Sequence, residues 1–370
     1  MKIIYDNKKS EKEIIANTWF INLDHDFSTL QNILIKWNNL EILNSLCYKY
    51  NLLWKIDLIY IDPPFATNKK FTIWNDRVST ISNSIFDKVA YEDNLLWDDF
   101  IEFIRERLVF LKNLLSDTWS IYLHIDYKIW HYIKIIMDEI FGISNFKNDI
   151  SRIKCNPKNF NRKAYWNTKD MILFYSKSKN LKRNNPIIEF KEEDKKRIFK
   201  KIDKNWKYYT TIPLHAPWST INWDTWKERK WVMPPEWRHR RTSPKILDER
   251  DNEWLIERSS NWNPRKKIFS DDRIWKKMQD IREFKDYQNP KYPTQKNIEL
   301  LKYIINASSN PWDVVLDCFC GSGTTLIASH ELDRKRIWID QSVEAISVCK
   351  NRFEESWIKK SDYLFLQTYH

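Results

Sequence analysis

Short apolar runs alternate with longer stretches of helical spacing along most of this chain. Residues 55–62, KIDLIYID, form a near-continuous apolar run rich in isoleucine, which predicts a strand buried on both faces. Residues 98–116 carry Phe100, Ile104, Leu108, Leu111 and Leu115 at helical spacing, so that one face of a helix is apolar. A strand at 120–126, a helix at 130–142 and a strand at 170–177 follow. The stretch TLQNILIKWNNLEILNSL, residues 29–46, reads as one amphipathic helix. Strands alternating with helices predict an α/β fold with a parallel sheet covered on both faces.

The pattern breaks over residues 180–285, which are charged, rich in Trp and Arg, and poorly periodic. Alternation then resumes with a helix at 297–309, a strand at 313–319, a helix at 323–332, a strand at 336–340 and a helix at 342–355. The middle block therefore reads as an insertion into a sheet scaffold. The predicted segments are 1–180, 181–285 and 286–370.

Composition changes this picture in three places. The chain has 370 residues of which 42% are hydrophobic, enough for a large core. No run approaches the ~18 apolar residues of a membrane span, and MKIIYDNKKSEKEI does not resemble a signal peptide. Five cysteines without a Cys-x-x-Cys pair fit a reducing interior better than a disulfide framework or a zinc site. A cytoplasmic location and no membrane contact are expected. The net charge of +12 favours a polyanionic partner, although abundant Lys, Ile and Asn also follow from an AT-rich genome.

Glycine and tryptophan are the third departure. The chain has 3 Gly and 20 Trp, where glycine at its usual ~7% would give roughly 26 residues. Many tryptophans stand in turn contexts beside Ser, Asn, Asp or Pro, among them Trp119, Trp218, Trp262 and Trp312. Glycine is the usual partner there. A codon read by the host as glycine but written as tryptophan accounts for both counts. Arg240, Arg258, Arg282 and Arg336 stand where an aromatic residue fits, so some arginines read as tryptophan in turn. A protein with genuine aromatic binding surfaces is the alternative.

Two of the three glycines lie in DVVLDCFCGSGTTLIASHEL, residues 313–332. A strand, a small-residue turn and a helix let a backbone approach a ligand at a helix N-terminus. Asp340 ends the next strand, about 20 residues on, where a carboxylate suits ribose hydroxyls. The three-glycine dinucleotide pattern and the Gly-Lys-Thr/Ser of a phosphate loop are both missing, so a nucleoside cofactor without a pyrophosphate is expected. IDPPF, residues 61–65, follows the strand at 55–62. Asp62 can accept a hydrogen bond from an amine. Two prolines stiffen the loop, Pro63 contributes a carbonyl without an N–H, and Phe65 offers a stacking face. His124 and Asp126 end a strand, and a structural, hydrogen-bonded His124 fits better than a catalytic one. His215 and His239 form no metal-ligand pattern, and no metal is expected.

Taken in order, LIYIDPPF, YPTQKN and LDCFCGSGTT resemble the motifs of the β-group of amino-methylating DNA methyltransferases. The modification (Mod) subunits of type III restriction systems are similar to it. The likeness runs from about residue 50 to 350. It implies a circularly permuted, Rossmann-like methyltransferase fold that uses S-adenosylmethionine. Residues 1–180 would be its catalytic half, 181–285 an inserted target-recognition region and 286–370 its cofactor-binding half. Carried over by motif, Asp62, Pro63, Pro64 and Phe65 are catalytic. Asp317, Cys318, Phe319, Gly321, Gly323, Thr324, Thr325, Asp340, Thr294 and Lys296 bind cofactor.

Three positions depart from the family pattern: Phe65 where Tyr is common, Asn297 where Pro is usual, and Trp338 where Gly is usual. An indole at 338 would threaten to crowd the cofactor pocket. The resemblance implies methylation of adenine N6 in double-stranded DNA, with the target base flipped out and DNA contacts drawn from residues 150–285. A restriction subunit and a homodimer are further partners it allows. Cytosine-N4 methylation, or an inactive DNA-binding module if the tryptophans are genuine, stay open.

Overall fold

The computed structural model describes residues 2–27, 31–64, 70–74, 77–79, 88–92, 97–157, 163–177, 181–184, 188–190, 192–217, 225, 227–228, 233–234, 236–272, 275–276, 278–288, 290 and 295–367. They divide into two compact units, 1–186 with 279–370, and 187–278. The described residues 181–184 and 279–285 fall in the first unit.

The first unit is built on a nine-stranded sheet among the described residues. Its strands are β1 (Ile33–Lys36), β2 (Ile56–Ile61), β3 (Leu115–Ile125), β4 (Phe146–Ile153), β5 (Lys169–Ser176), β6 (Ile281–Glu283), β7 (Val314–Asp317), β8 (Lys335–Asp340) and β9 (Leu364–Gln367). They lie side by side in the order β6-β4-β5-β3-β2-β7-β8-β1-β9. β5 runs antiparallel to both neighbours, and the other neighbouring pairs are parallel. The helices are α1 (Glu11–Asn17), α2 (Asn39–Asn44), α3 (Trp97–Leu114), α4 (Trp130–Phe141), α5 (Ile298–Ser308), α6 (Thr324–Glu331) and α7 (Val343–Glu355).

Strand alternation decides which face each residue serves. Ile59, Ile61, Leu123, Leu316 and Ile339 pack with Phe100, Ile104 and Leu108 of α3 and with Ile133 and Met137 of α4. Leu58, Tyr60, Tyr122 and Val315 pack on the other face with Leu301, Ile304 and Ile305 of α5. Leu34 and Trp338 pack with α6 and α7 through Leu326, Ile346 and Phe353. The central strands are covered on both sides, which is why they read as continuous apolar runs.

Residues 29–46 are a correction. Ile33–Lys36 form strand β1, paired with β8 and β9, and the helical part is Asn39–Asn44. Ile33, Leu34 and Ile35 are each fully buried; three consecutive buried residues suit a strand between two helical layers, not a helix with one wet face. The parallel expectation fails at β5, and β4 and β9 carry half-buried patterns with no periodic signal.

The second unit holds a four-stranded antiparallel sheet, ordered Lys201–Ile202, Tyr208–Pro213, Pro264–Phe269, Ile256–Arg258. A helix, Pro244–Asn252, and a small hairpin of His215–Pro217 with Arg238–Arg240 complete its main elements.

Among the described residues, seven of the ten non-glycine residues at positive φ are tryptophan: Trp54, Trp206, Trp237, Trp254, Trp262, Trp312 and Trp357, with φ between 57° and 71°. The others are Asn7, Asn51 and Asp333, of residue types that tolerate this region. A left-handed residue with a Cβ costs about 1–2 kcal/mol. Seven would consume on the order of 10 kcal/mol, comparable with the roughly 5–15 kcal/mol of a whole fold. Trp119, expected in a turn, lies instead in β3 and is buried against Phe141. The strand is irregular there: Ile56 pairs with Leu115 but Leu58 with Ser120. Trp218 lies outside the described residues.

Candidate active site

Adjacent parallel strands bring the two separated motifs together. β2 and β7 pair with Leu58 opposite Val315 and Ile59 opposite Leu316. Asp62 and Asp317 therefore leave the sheet side by side at its carboxyl edge, where α/β folds bind ligands. One cavity is lined by Asp62, Pro63, Pro64, Lys296, Asp317, Cys318, Phe319, Gly321, Thr324, Thr325 and Asp340. Asn39, Tyr60, Phe103, Arg107, Leu301 and Ser342 share it. Phe65 and Thr294 lie outside the described residues.

The glycine turn is shaped by its two left-handed residues, Gly321 at φ 48° and Gly323 at φ 72°. The Gly321 N–H donates to Asp340 Oδ2 at 2.8 Å, and the Ser342 N–H donates to Oδ1 at 2.9 Å. The strand-end carboxylate is thus fixed from both sides. Gly323 opens α6, and a Cβ there would stand 2.8 Å from Cys349 Sγ, so this residue is required by contact as well as by conformation. Arg352 ties the turn down by donating to the Ser322 carbonyl at 2.6 Å and to Thr324 Oγ1 at 3.1 Å.

Asp317 is 2% exposed. Burial pushes its carboxyl up to about 7; hydrogen bonds from Thr325 and the Phe319 N–H oppose the rise, and the charges of Asp62 and Asp340 add to it. Burial also raises Asp340, against the hydrogen bonds from the backbone of Ser342, Gly321 and Gln341.

Asp62 is held asymmetrically. Lys296 Nζ lies 2.8 Å from Oδ2, while Oδ1 is buried with no hydrogen-bond partner among the described residues. Behind it, Tyr60 Oη and His124 Nδ1 are 2.8 Å apart, and His124 Nε2 lies 3.4 Å from Asp170 Oδ2. Burial holds His124 below its ordinary value, with Lys296 adding to the effect. Burial raises the Tyr60 phenol. Burial works against Asp170, yet the adjacent His124 and the charges of Lys154 and Lys296 keep its carboxyl low. A neutral imidazole between a protonated phenol and a carboxylate has one consistent tautomer: Tyr60 donates to Nδ1, and Nε2–H faces Asp170. His124 is fully buried and works through its neighbours.

The opposite wall was not visible in the motifs. Arg107 Nε donates to Asn39 Oδ1 at 2.7 Å, and Asn39 Nδ2 donates to the Cys318 carbonyl at 2.7 Å. The Arg107 guanidinium sits 3.5 Å from the Phe103 ring centre, and burial brings its pKa down to about 10. The available signal was a charge inside the apolar periodicity of 98–116; Asn39 was obscured by the misread helix.

Trp338 does not crowd the cavity. It is 1% exposed and packs beneath the turn with Leu34, Cys320, Leu326 and Cys349. Its Nε1 finds no hydrogen-bond partner among the described residues, nor do Nε and Nη1 of the buried Arg336 beside it. The same residues contain no His/Cys/Asp/Glu cluster able to hold a metal ion and no helix long and apolar enough to cross a membrane.

The N6/N4 methyltransferase family model, described as DNA methylase, matches residues 56–351. The type II methyltransferase M.EcaI of Enterobacter cloacae is 35% identical over 97% of this chain and 79% of its own length. The probable type III restriction-modification enzyme HindVI Mod subunit of Haemophilus influenzae is 24% identical over 87% of this chain. The aligned region spans 50% of that Mod subunit. Among solved structures, the cytosine-N4-specific PvuII DNA methyltransferase superposes with a TM-score of 0.49 at 13% identity, covering 88% of this chain and 87% of the other.

Proposed function

The chain belongs to the N6/N4 DNA methylase family, and from that premise we propose that it methylates the N6 amine of an adenine flipped out of double-stranded DNA. It is a DNA methyltransferase, and S-adenosylmethionine is its methyl donor. That donor, when bound, supplies an electrophilic methyl group on a sulfonium. The residues present fit such a cation: Asp62, Asp317 and Asp340 line one cavity, and no phosphate-binding lysine loop competes.

In this reading Asp340 takes the ribose hydroxyls. The turn from Cys318 through Phe319, Gly321 and Gly323 to Thr324 and Thr325 cradles the donor, and Asp317 faces its positive charge. Thr294 belongs with this set by motif. An adenine amine is a poor nucleophile because its lone pair is delocalised into the ring. Accepting its N–H groups at Asp62 and at the Pro63 carbonyl favours a more tetrahedral nitrogen aimed at the methyl carbon, and positioning supplies much of the rate. Pro64 stiffens the loop, and Phe65 stacks on the base. Extrusion costs a few kcal/mol, of which stacking returns ~1–3.

The observation that carries the reading is Asp62 Oδ1, a buried acceptor without a hydrogen-bond partner among the described residues, in the cavity that Asp317 and Asp340 also line. Adenine is favoured over cytosine because Asp, not Ser, precedes the two prolines, and because several relatives are Mod subunits. The names of these relatives support a role in restriction-modification with a restriction subunit as partner; a cytoplasmic location and a homodimer belong to the same reading. Residues 187–278 are the target-recognition candidate. Methylome sequencing of DNA from cells expressing the full chain tests the base and site together. N6-methyladenine at one short site is expected, lost with Asp62→Ala while calorimetry still shows S-adenosylmethionine binding. N4-methylcytosine, or methylation that survives the substitution, overturns the reading.

A further inference from the structure

The motif resemblance groups Lys296 with cofactor binding, but the geometry gives it another task. Lys296 directly precedes Asn297, the N-cap of α5, whose side chain accepts from the Glu299 N–H at 2.9 Å and donates to the Lys285 carbonyl at 2.9 Å. The next N–H, of Ile298, donates to Tyr287 Oη at 3.2 Å. With its backbone fixed in this way, Lys296 sends a 9%-exposed side chain to Asp62 Oδ2 at 2.8 Å. We infer that Lys296 is a positioning residue for Asp62, fixing one carboxylate oxygen so that the other alone is left for the target amine. The neutral His124 lies 4.0 Å from Oδ1 and does not compete for it, because Tyr60 occupies its near nitrogen. This rests on the adenine-methylating reading above.

Lys296→Met and Lys296→Arg in the full chain separate the two roles. The positioning role expects Met to lower kcat on the order of 100-fold. The calorimetric Kd for S-adenosylmethionine should stay within about twofold, and Arg should restore part of kcat. A raised Kd with kcat unchanged at saturating donor returns Lys296 to cofactor binding and overturns the inference. Failure of the broader reading looks different: wild-type protein would bind the donor and leave adenine unmodified.

A second inference stands on backbone geometry, independent of the site. Four of the seven positive-φ tryptophans occupy caps or turns whose hydrogen bonding favours glycine. After α7, Ile358 N–H donates to the Phe353 carbonyl and Trp357 N–H to that of Glu354. After the helix Pro244–Asn252, Leu255 and Trp254 repeat the pattern with Arg250 and Asp251. Both are the paired bonds of a left-handed helix cap, a position glycine dominates. Trp206 and Trp262 close short hairpins, donating to the carbonyls of Asp203 and Ser259, at the left-handed position where such loops use glycine. All seven indoles are at least 64% exposed, so none is held by burial in the core.

The arginines mirror this. Arg336 is 3% exposed, with its guanidinium 5.3 Å from the Trp338 ring centre. A tryptophan at 336 beside a glycine at 338 keeps one indole in this pocket and removes the buried guanidinium. Arg282 lies 4.8 Å from the Tyr303 ring centre, where an indole would stack. We propose that the host's ribosomes place glycine at these seven positions and at 338, and tryptophan at 282 and 336, because two codons are reassigned. Peptide mass spectrometry of the protein from its own host decides it: glycine in the peptides containing 254 and 357 supports the proposal, and tryptophan there overturns it. In a standard host, a gene recoded at all these positions should give a protein with a higher Tm than the literal sequence; an equal or lower Tm counts against it.

Discussion

With Asp317 beside the donor, as proposed, binding of the methyl donor becomes pH-dependent in a way that can be calculated. Burial sets its carboxyl at about 7 in the free protein, with Asp62 and Asp340 contributing. The donor's sulfonium is permanently positive, and its ammonium stays protonated below about pH 7.7. Binding a cation favours ionised Asp317, so below pH 7 binding must first expel a proton. For a pKa near 7, the affinity falls by a factor of 1 + 10^(7 − pH), roughly 25-fold between pH 7.5 and 5.5, or about 2 kcal/mol at ~1.36 kcal/mol per unit. Asp340, also raised by burial, bends the curve the same way. Asp317→Asn should bind more weakly at pH 7.5 and show a flatter profile. Stability runs opposite to binding. The folded chain holds the Asp317 proton more tightly than the unfolded chain, so stability is lost as pH rises from about 4 through 7, up to about 4 kcal/mol. The Asn variant should therefore unfold at higher denaturant at pH 8. Calorimetric Kd values from pH 5.5 to 7.5 check the first claim and urea melts the second. A pH-independent wild-type affinity, or an Asn variant with the wild-type slope, refutes the reasoning.

Three further outcomes follow from contacts. Gly323→Ala puts a Cβ 2.8 Å from Cys349 Sγ at φ 72° and should cost about 1–3 kcal/mol; an unchanged urea midpoint would show that the turn adapts. Trp254→Gly relieves a left-handed backbone at a 69%-exposed side chain and should gain about 1 kcal/mol, read as a raised midpoint at constant slope. Tyr60→Phe leaves His124 Nδ1 buried without the donor now at 2.8 Å and should cost about 1–3 kcal/mol; a neutral melt would mean that water replaces the phenol.

The central strands and both ligand loops were legible because burial on two faces imposes continuous apolar runs, as in IDLIYI and VVLD, and because left-handed turns favour glycine or its surrogate. β1 was misread because ILIK followed by NLEILN mixes a strand and a helix within twelve residues of similar polarity. β4 and β9 are half-buried, so neither face dominates their sequence. In the site, motif residues announce themselves by rare chemistry, two prolines after an acid or Gly-x-Gly before a helix. Arg107 and Asn39 carry no such mark; their roles depend on a carbonyl, that of Cys318, which lies far away in sequence. Lys296 was visible as a residue, but only the 2.8 Å approach to Asp62 shows what it touches.

Chain order does not decide where this site forms. From β2 the chain passes through α3 to β3 on one side, and from β7 it passes through α6 to β8 on the other. The connections diverge between these two strands, and a diverging pair in a parallel sheet leaves a crevice at its carboxyl edge. Asp62 stands on one lip and Asp317 on the other because Leu58 pairs with Val315, although the sequence between them holds an entire second unit. A fold that carried the glycine loop first and the acid-proline-proline loop last would create the same crevice, provided β2 and β7 stayed neighbours. The physical requirement of the chemistry is therefore one strand pairing. Its most sensitive point is the register of that pair: a one-residue slip would turn Asp62 to the opposite face of the sheet, removing the acceptor while leaving every motif intact in the sequence.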